Sequence, residues 1–307
     1  MRVLVIKPSS LGDIVHGLQV MAIMKKHIGN LQIDWVVRDC FAEAIAASGI
    51  VDQVHYFRRG AGMFAFLKLL KSLRNRKYDA ALDMQGLMRS GVMTFAARAD
   101  RKIGRCDSRE LAWMFYGEKV ARSKSPHAID ILLQFLPKFG LEAKFEYALD
   151  LGVGKNSLPF GGQHVLLFPD SRRHEKQWPF FCELAESLAR AYPRLRFAIV
   201  GQSPVHWRFS QSNVANLAGK TSLVDVLNLI KRCDLVVAND SAPAHIAAAM
   251  QRRIVVLFGP TNFLEHGPYP VGCDRHTTLS KRDLANLAVE DVFDACAIQI
   301  DNFLRSR

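Results

Sequence analysis

Short apolar runs alternate along this chain with longer stretches whose apolar positions recur every three to four residues. In the first half the runs at 2–6, 32–37, 53–57 and 79–84 predict strands. The periodic stretches at 14–26, 41–47, 62–76 and 87–97 predict helices between them. Strands alternating with helices in this way indicate βαβ units around a parallel sheet. The pattern breaks over residues 142–162, where LGVGKNSLPFGG carries four glycines and a proline and reads as a linker. It then restarts, with strands predicted at 164–169, 195–200, 234–238 and 254–258. Helices are predicted at 179–191, 223–231, 242–250 and 289–304. The chain therefore reads as two similarly built α/β domains, without a sequence repeat between them and without low-complexity segments. In such an architecture, ligands bind where the carboxyl ends of strands from both sheets face a central cleft.

Composition narrows the class. A chain of 307 residues, 49% hydrophobic, suits two domains better than one. No apolar run approaches the roughly 18 residues of a membrane span. The run at residues 3–6 ends at Lys7 and is too short for a signal peptide. Six scattered cysteines with no CxxC fit neither a zinc site nor a disulfide framework, and a reducing cytosol is the expected setting. The net charge is +12, and most of the excess lies in the first half: residues 1–150 hold 23 Lys+Arg against 15 Asp+Glu, the remainder 18 against 14. Such a balance implies an anionic partner: nucleic acid, an anionic membrane surface or a phosphorylated substrate. Nucleic acid is disfavoured, because the basic residues lack interleaved aromatics or a reader motif.

Candidate chemistry clusters at strand ends. MRVLVIKPSSLGDIVHGLQV reads as a buried strand, a polar turn and a helix start. Free N–H groups and the positive end of the helix dipole converge at such a turn. Lys7 and Asp13 bring a cation and a carboxylate to that crevice, and Gly12 permits close approach. In the second half, VVANDSAPAHIAAAM places Asp240 or Ser241 at a helix N-cap, with His245 on the first turn. A well-capped helix with a satisfied histidine explains the same residues. The run RRIVVLFGPTNF ends in a further small-residue turn, Gly259-Pro260-Thr261. LLFPDSRRHEKQWP carries Arg172, Arg173, His174 and Lys176 after a strand, as a phosphate clamp or as a solvated basic loop. Neither GxxxxGK[ST] nor GxGxxG occurs, which argues against an NTPase or an NAD enzyme. Arg58 and Arg59 precede a helix with apolar positions Met63, Phe66, Leu67, Leu70 and Leu73 and with Lys68 and Lys71 between them. Such a helix packs its stripe into the core or lies on an anionic membrane; the spacing favours the core.

Taken in order, IKPSSLGDIVH, IDWVVRDCFAE, YDAALDMQGLMRSG, DSRRHEKQWP, NDSAPAH and FGPTN resemble the ADP-heptose:lipopolysaccharide heptosyltransferases, and within them the heptosyltransferase I type. The resemblance implies a GT-B fold of two Rossmann-like domains. Residues 1–155 would bind the lipid A–Kdo acceptor and 156–307 the ADP-sugar, with the final helix packing back on the first domain. It implies an inverting, metal-independent transfer with no cofactor, in the cytoplasm at the inner membrane's cytoplasmic face. Asp13 matches the general base, and Lys7 the lysine that assists the donor phosphate or leaving group. Ser9, Ser10, Gly12, Arg58, Arg59 and Arg109 fall on the acceptor side. Ser171, Arg172, Lys176, Asp240, Ser241, His245, Gly259 and Thr261 fall on the donor side.

The chemistry suits these residue types. An ordinary aspartate, with a pKa near 3.9, accepts a proton only as the new bond forms. Cations and helix N-termini would carry the charge developing on ADP. Another sugar-nucleotide enzyme on the same scaffold, or a non-catalytic protein that holds anionic lipid, is the alternative.

Overall fold

The computed structural model describes residues 1–151 and 164–306. The chain divides into two compact units, Met1–Gly152 and Val153–Arg307. Most of the glycine-rich stretch read as a linker lies outside the described residues, as does the boundary near 155.

The first unit is built on a parallel sheet. Its strands are β1 (Arg2–Ile6), β2 (Gln32–Arg38), β3 (Gln53–Phe57), β4 (Tyr78–Asp83), β5 (Ala99–Gly104) and β6 (Glu118–Lys119), in the order β3-β2-β1-β4-β5-β6. The central strand β1 is covered on both faces, and Val3 to Ile6 are fully buried, which is why it reads as an unbroken apolar run. In register, Ile6 lies opposite Val36 on one side and Asp83 on the other. The order reverses between β1 and β4. Helices α1 (Leu11–His27) and α2 (Ala42–Ala47) lead from β1 toward β3, whereas α3 (Gly62–Ser72) and α4 (Met88–Ala96) lead toward β5. Right-handed crossovers therefore put α1 and α2 on one face and α3 and α4 on the other. Consistent with this, Leu69 and Leu73 of the α3 segment and Met93 of α4 share one buried cluster with Leu4, Ile6, Val36 and Ala81. A short helix, α5 (Ala128–Leu133), packs against α1.

The second unit repeats the topology. Its strands are β7 (His164–Phe168), β8 (Arg196–Ile199), β9 (Val214–Asn216), β10 (Leu235–Asn239), β11 (Arg253–Phe258) and β12 (His276–Ser280). Their order is β12-β11-β10-β7-β8-β9, again parallel, with the reversal between β7 and β10. The helices are α6 (Phe181–Ala191), α7 (Leu223–Arg232), α8 (Ala242–Ala249), α9 (Phe263–His266) and α10 (Val289–Arg305). Ser222 caps α7: its hydroxyl accepts the Asp225 N–H while Asp225 accepts the Ser222 N–H.

The last helix, α10, buries its stripe of Val292, Cys296, Ile300 and Phe303 in the second unit's own core, against α6 and β11. One expectation is corrected here: the stripe predicted for residues 62–76. The helix stops at Ser72, its buried positions include Leu69 with Leu73 just beyond, and Met63 and Leu67 are exposed.

Candidate active site

In the first unit, the turn after β1 lies at the sheet's switch point, where carboxyl ends of parallel strands open a crevice. Lys7 leaves the strand buried, with its backbone carbonyl accepting from Trp35 Nε1 at 3.2 Å. Ser10 is the N-cap residue of α1, and Gly12 and Asp13 lie in the first turn. The Ser10 N–H and hydroxyl both donate to Asp13 Oδ2, at 3.0 and 2.6 Å. Lys7 Nζ stands 3.6 Å from the other carboxylate oxygen. The Lys7 side chain is 3% exposed and that of Asp13 42%, so the carboxylate has one side held by protein and one side open.

These surroundings set the protonation states. Burial raises the Asp13 pKa, but the Lys7 charge and the Ser10 hydrogen bonds outweigh it and hold the carboxyl below the usual range. An unperturbed aspartate is thus not what the structure contains; the group is ionised and a still weaker base. Burial, aided by Arg105, lowers the Lys7 pKa against the opposing charge of Asp13.

Neighbouring strand ends complete this edge. Asp83, the last residue of β4, is fully buried. It accepts N–H groups from Gln85 and Gly86 at 2.9 and 2.8 Å and the Tyr116 hydroxyl at 2.7 Å. Burial raises its pKa despite these donors. Ser9 N–H reaches Gln85 Oε1 at 3.4 Å, linking the β1 and β4 turns. After β5, Arg105 grips Asp107 through two bonds of 2.9 and 2.6 Å. Arg109 is exposed, and its backbone N–H donates to the Gly86 carbonyl at 2.8 Å. Arg58 and Arg59 are exposed just beyond β3. They share the sheet's carboxyl edge, but two strands away from β1, about 10 Å by strand spacing.

The second unit carries a separate cluster. Lys176 Nζ bonds Asp240 Oδ2, and the side chains are only 14% and 6% exposed. Asn239, fully buried at the end of β10, fixes the loop between β7 and α6. Its Nδ2 donates to the Pro169 carbonyl at 2.7 Å, and its Oδ1 accepts the Trp178 N–H at 3.1 Å. The Ser171 carbonyl accepts from Gln177 at 2.6 Å, which closes the loop on itself, while Arg172 points outward, exposed. Ser241 occupies the N-cap position of α8, yet its hydroxyl turns back to the Asn239 carbonyl at 3.2 Å instead of capping. His245 lies half-buried on α8. Gly259 is where the turns after β11 and β7 touch: a Cβ there would lie 2.7 Å from the Glu175 carbonyl, so only glycine fits. Thr261 follows, partly exposed.

The structure thus joins Lys7, Ser9, Ser10, Gly12 and Asp13 in one turn, and Lys176, Asp240, Ser241 and Gly259 in another. Sequence reasoning passed over Asp83, Tyr116, Arg105 and Asn239. A carboxylate ending the apolar strand YDAALD was a readable signal for Asp83. The partners Tyr116 and Arg105 follow a strand too polar to be seen. Asp170 was also missed: it accepts the Gln202 and Ser203 N–H groups at 2.6 and 3.3 Å, bringing a carboxylate to the end of β8.

Two parallel sheets of this order, one in each unit, are the pair of Rossmann-like sheets of a GT-B fold. The chain belongs to glycosyltransferase family 9 (heptosyltransferase), whose family model matches residues 66–286. It is 27% identical to the lipopolysaccharide core heptosyltransferase OpsX of Haemophilus influenzae, over 86% of this chain and 81% of that one. It is 26% identical to lipopolysaccharide heptosyltransferase 1 of Escherichia coli K12, over 85% and 89%. Among solved structures, Escherichia coli heptosyltransferase WaaC with ADP superposes with a TM-score of 0.81, at 23% identity and 97% and 100% coverage.

Proposed function

We propose that this glycosyltransferase moves heptose from ADP-heptose to the Kdo region of a lipopolysaccharide inner core, as a heptosyltransferase I, with inversion and without a metal ion. The observation that carries the proposal is the Asp13 carboxylate, ionised beside Lys7 and half open at the switch point of the first sheet. The relatives' names, lipopolysaccharide heptosyltransferase, support the sugar and the acceptor class. The solved WaaC structures with ADP and with ADP-2-deoxy-2-fluoro heptose support the donor.

In this reading the acceptor hydroxyl attacks the anomeric carbon, the new C–O bond forms, and the bond to the ADP oxygen breaks. Asp13 takes the hydroxyl proton late in that step, because a carboxylate of low pKa can accept it only once the forming C–O bond has made the hydroxyl acidic. Lys7 keeps Asp13 ionised and, with Lys176 and the N–H groups at helix starts, stabilises the charge appearing on ADP. Ser9, Ser10, Gly12, Arg58, Arg59 and Arg109 hold the anionic acceptor. Ser171, Arg172, Lys176, Asp240, Ser241, His245, Gly259 and Thr261 hold the nucleotide sugar. The enzyme works in the cytoplasm, in peripheral contact with the inner membrane. Among the described residues no helix is long and apolar enough to cross one.

The deciding experiment is ADP release from ADP-heptose in EDTA, with and without deacylated Kdo-lipid A. Acceptor-dependent release supports both the transfer and its metal independence. Acceptor binding without release of ADP would refute it.

A further inference from the structure

The first sheet's α3–α4 face leaves a problem that its core does not solve. The inner side of these helices is spent: Phe66, Leu69, Leu70 and Leu73 pack with Phe57, Tyr78 and Met93. The outer side is nevertheless apolar. Met63 is 70% exposed and Phe64 83%, with Leu67 one turn on, more than half exposed. Positions 63, 64 and 67 lie on one helix face. Across α4, Phe95 is 63% exposed and its ring lies 5.9 Å from Phe115, in a short helical turn at Ala112–Phe115 that packs on α4. From that turn Trp113 and Met114 also project, 49% and 62% exposed. Single exposed hydrophobics are ordinary on a soluble surface, but neighbouring elements that share them mark a contact site.

The helices and the turn that carry these side chains hold cations and no carboxylate, with Glu110, Glu118 and Asp100 at their borders. Residues 53–78 hold seven Lys+Arg and no Asp or Glu, and α4 and residues 111–117 hold no acidic residue either. Two of the cations, Arg76 and Lys77, are paired with Asp34 and Asp100. Lys68 and Lys71 flank Phe64 and Leu67 on α3. Lys102 and Lys119 stand with their ammonium groups 4.9 Å over the Phe95 ring and 5.5 Å over the Trp113 ring. Arg74 is close enough to Lys102 for its charge to add to the burial that lowers the Lys102 pKa, so two cations stand near one another here.

We infer that the outer face of α3, α4 and the Ala112–Phe115 turn is a membrane-docking surface, which sinks Phe64, Leu67 and their neighbours into the headgroup boundary of an anionic bilayer while the surrounding lysines meet lipid phosphates. An apolar stripe rimmed by long basic side chains is the chemistry of interfacial binding. A second copy of the chain fits less well, because a two-fold contact sets the same patch against itself and would bring cation against cation. This deepens the reading of a lipid-borne acceptor by giving the first unit a surface on which to meet it, and vesicle binding can be measured without any transfer.

The test is co-sedimentation of the full chain with phosphatidylethanolamine–phosphatidylglycerol vesicles, with phosphatidylcholine vesicles as the neutral comparison. The wild-type chain is expected to partition onto the anionic vesicles. Phe64→Ser with Leu67→Ser lowers the partition coefficient by about ten-fold or more, since both side chains are withdrawn from the interface. Lys68→Gln with Lys71→Gln lowers it by about 25-fold at low salt, about five-fold per charge, and the difference shrinks as salt is added. Both variants keep wild-type turnover of a water-soluble, deacylated acceptor. The inference is overturned if the wild type stays in the supernatant, if the variants sediment like the wild type, or if the wild type is a dimer that Phe64→Ser with Leu67→Ser turns into monomers. Failure of transfer to the soluble acceptor by the wild type would count against the proposed activity and leave the docking result standing.

Discussion

Lys176→Met separates the structural role of the second unit's charge pair from the role proposed for it with the donor. Lys176 and Asp240 bond directly with little exposure, 14% and 6% for their side chains. Removing one partner of a buried pair leaves the other charge desolvated, which costs about 3–5 kcal/mol. The residual exposure of Lys176 puts this case at the low end, about 3 kcal/mol. For a unit of this size that lowers the melting temperature by about 6–12 °C. Asp240→Asn in the same chain removes the stranded charge, so the double variant recovers most of the loss. Phosphate binding behaves differently. With Lys176 on the ADP phosphates as proposed, the missing ammonium costs one charged hydrogen bond, about 2 kcal/mol, or about 30-fold in ADP affinity. Asp240→Asn cannot restore it. Calorimetric titration with ADP and thermal denaturation of the single and double variants make the comparison. A stability loss that persists undiminished in the double variant would show that packing, not charge, held the loop. ADP affinity restored by Asp240→Asn would refute the phosphate role of Lys176.

Asp13→Asn is expected to reduce turnover by at least about 100-fold, the low end for a lost general base, while circular dichroism stays that of the wild type; near-normal turnover would remove Asp13 from the base role. Arg58→Gln with Arg59→Gln raises the acceptor KM and leaves ADP affinity unchanged, and an equal loss for both substrates would contradict the assignment of these residues to the acceptor. Tyr116→Phe deletes the 2.7 Å hydrogen bond to buried Asp83 and costs about 1.5–3 kcal/mol at pH 8, read by chemical denaturation. Its pH dependence has a definite sign. Burial raises the folded-state pKa of Asp83, so the ionised carboxylate costs stability above that pKa and nothing below the unfolded value. Losing the Tyr116 donor raises it further, so the gap between wild type and variant is full at high pH and closes as Asp83 is protonated; a gap that widens on acidification would refute the argument.

The amino-acid sequence by itself determined the class of fold and the first half of the chemistry. Strands such as Val3 to Ile6 and Val236 to Ala238 are covered on both faces, so the selection for apolar residues is unbroken and the runs are visible. The turn from Lys7 to Asp13 was legible because its interactions are local, from Ser10 to Asp13 three residues on. Strands β5, β6, β9 and β12, at or next to the sheet edges, leave no unbroken apolar run: ADRKIG and HTTLS mix apolar with charged or polar residues, and most of their positions are only partly buried.

Tertiary structure alone decided the rest. Lys176 and Asp240 are 64 residues apart in sequence, and Tyr116 and Asp83 are 33 apart, so neither pairing leaves a local trace. The direction of α3 shows the same limit. Met63, Phe64, Phe66, Leu67, Leu69, Leu70 and Leu73 cover nearly every side of that segment, and hydrophobicity alone could not say which of them the core would take. The crossover from β3 to β4 fixes the azimuth of the helix on the sheet, burying Leu69 and Leu73 and leaving Met63, Phe64 and Leu67 outside. A sequence carries the period of burial, whereas the phase of that period is set by the surface against which the helix comes to rest.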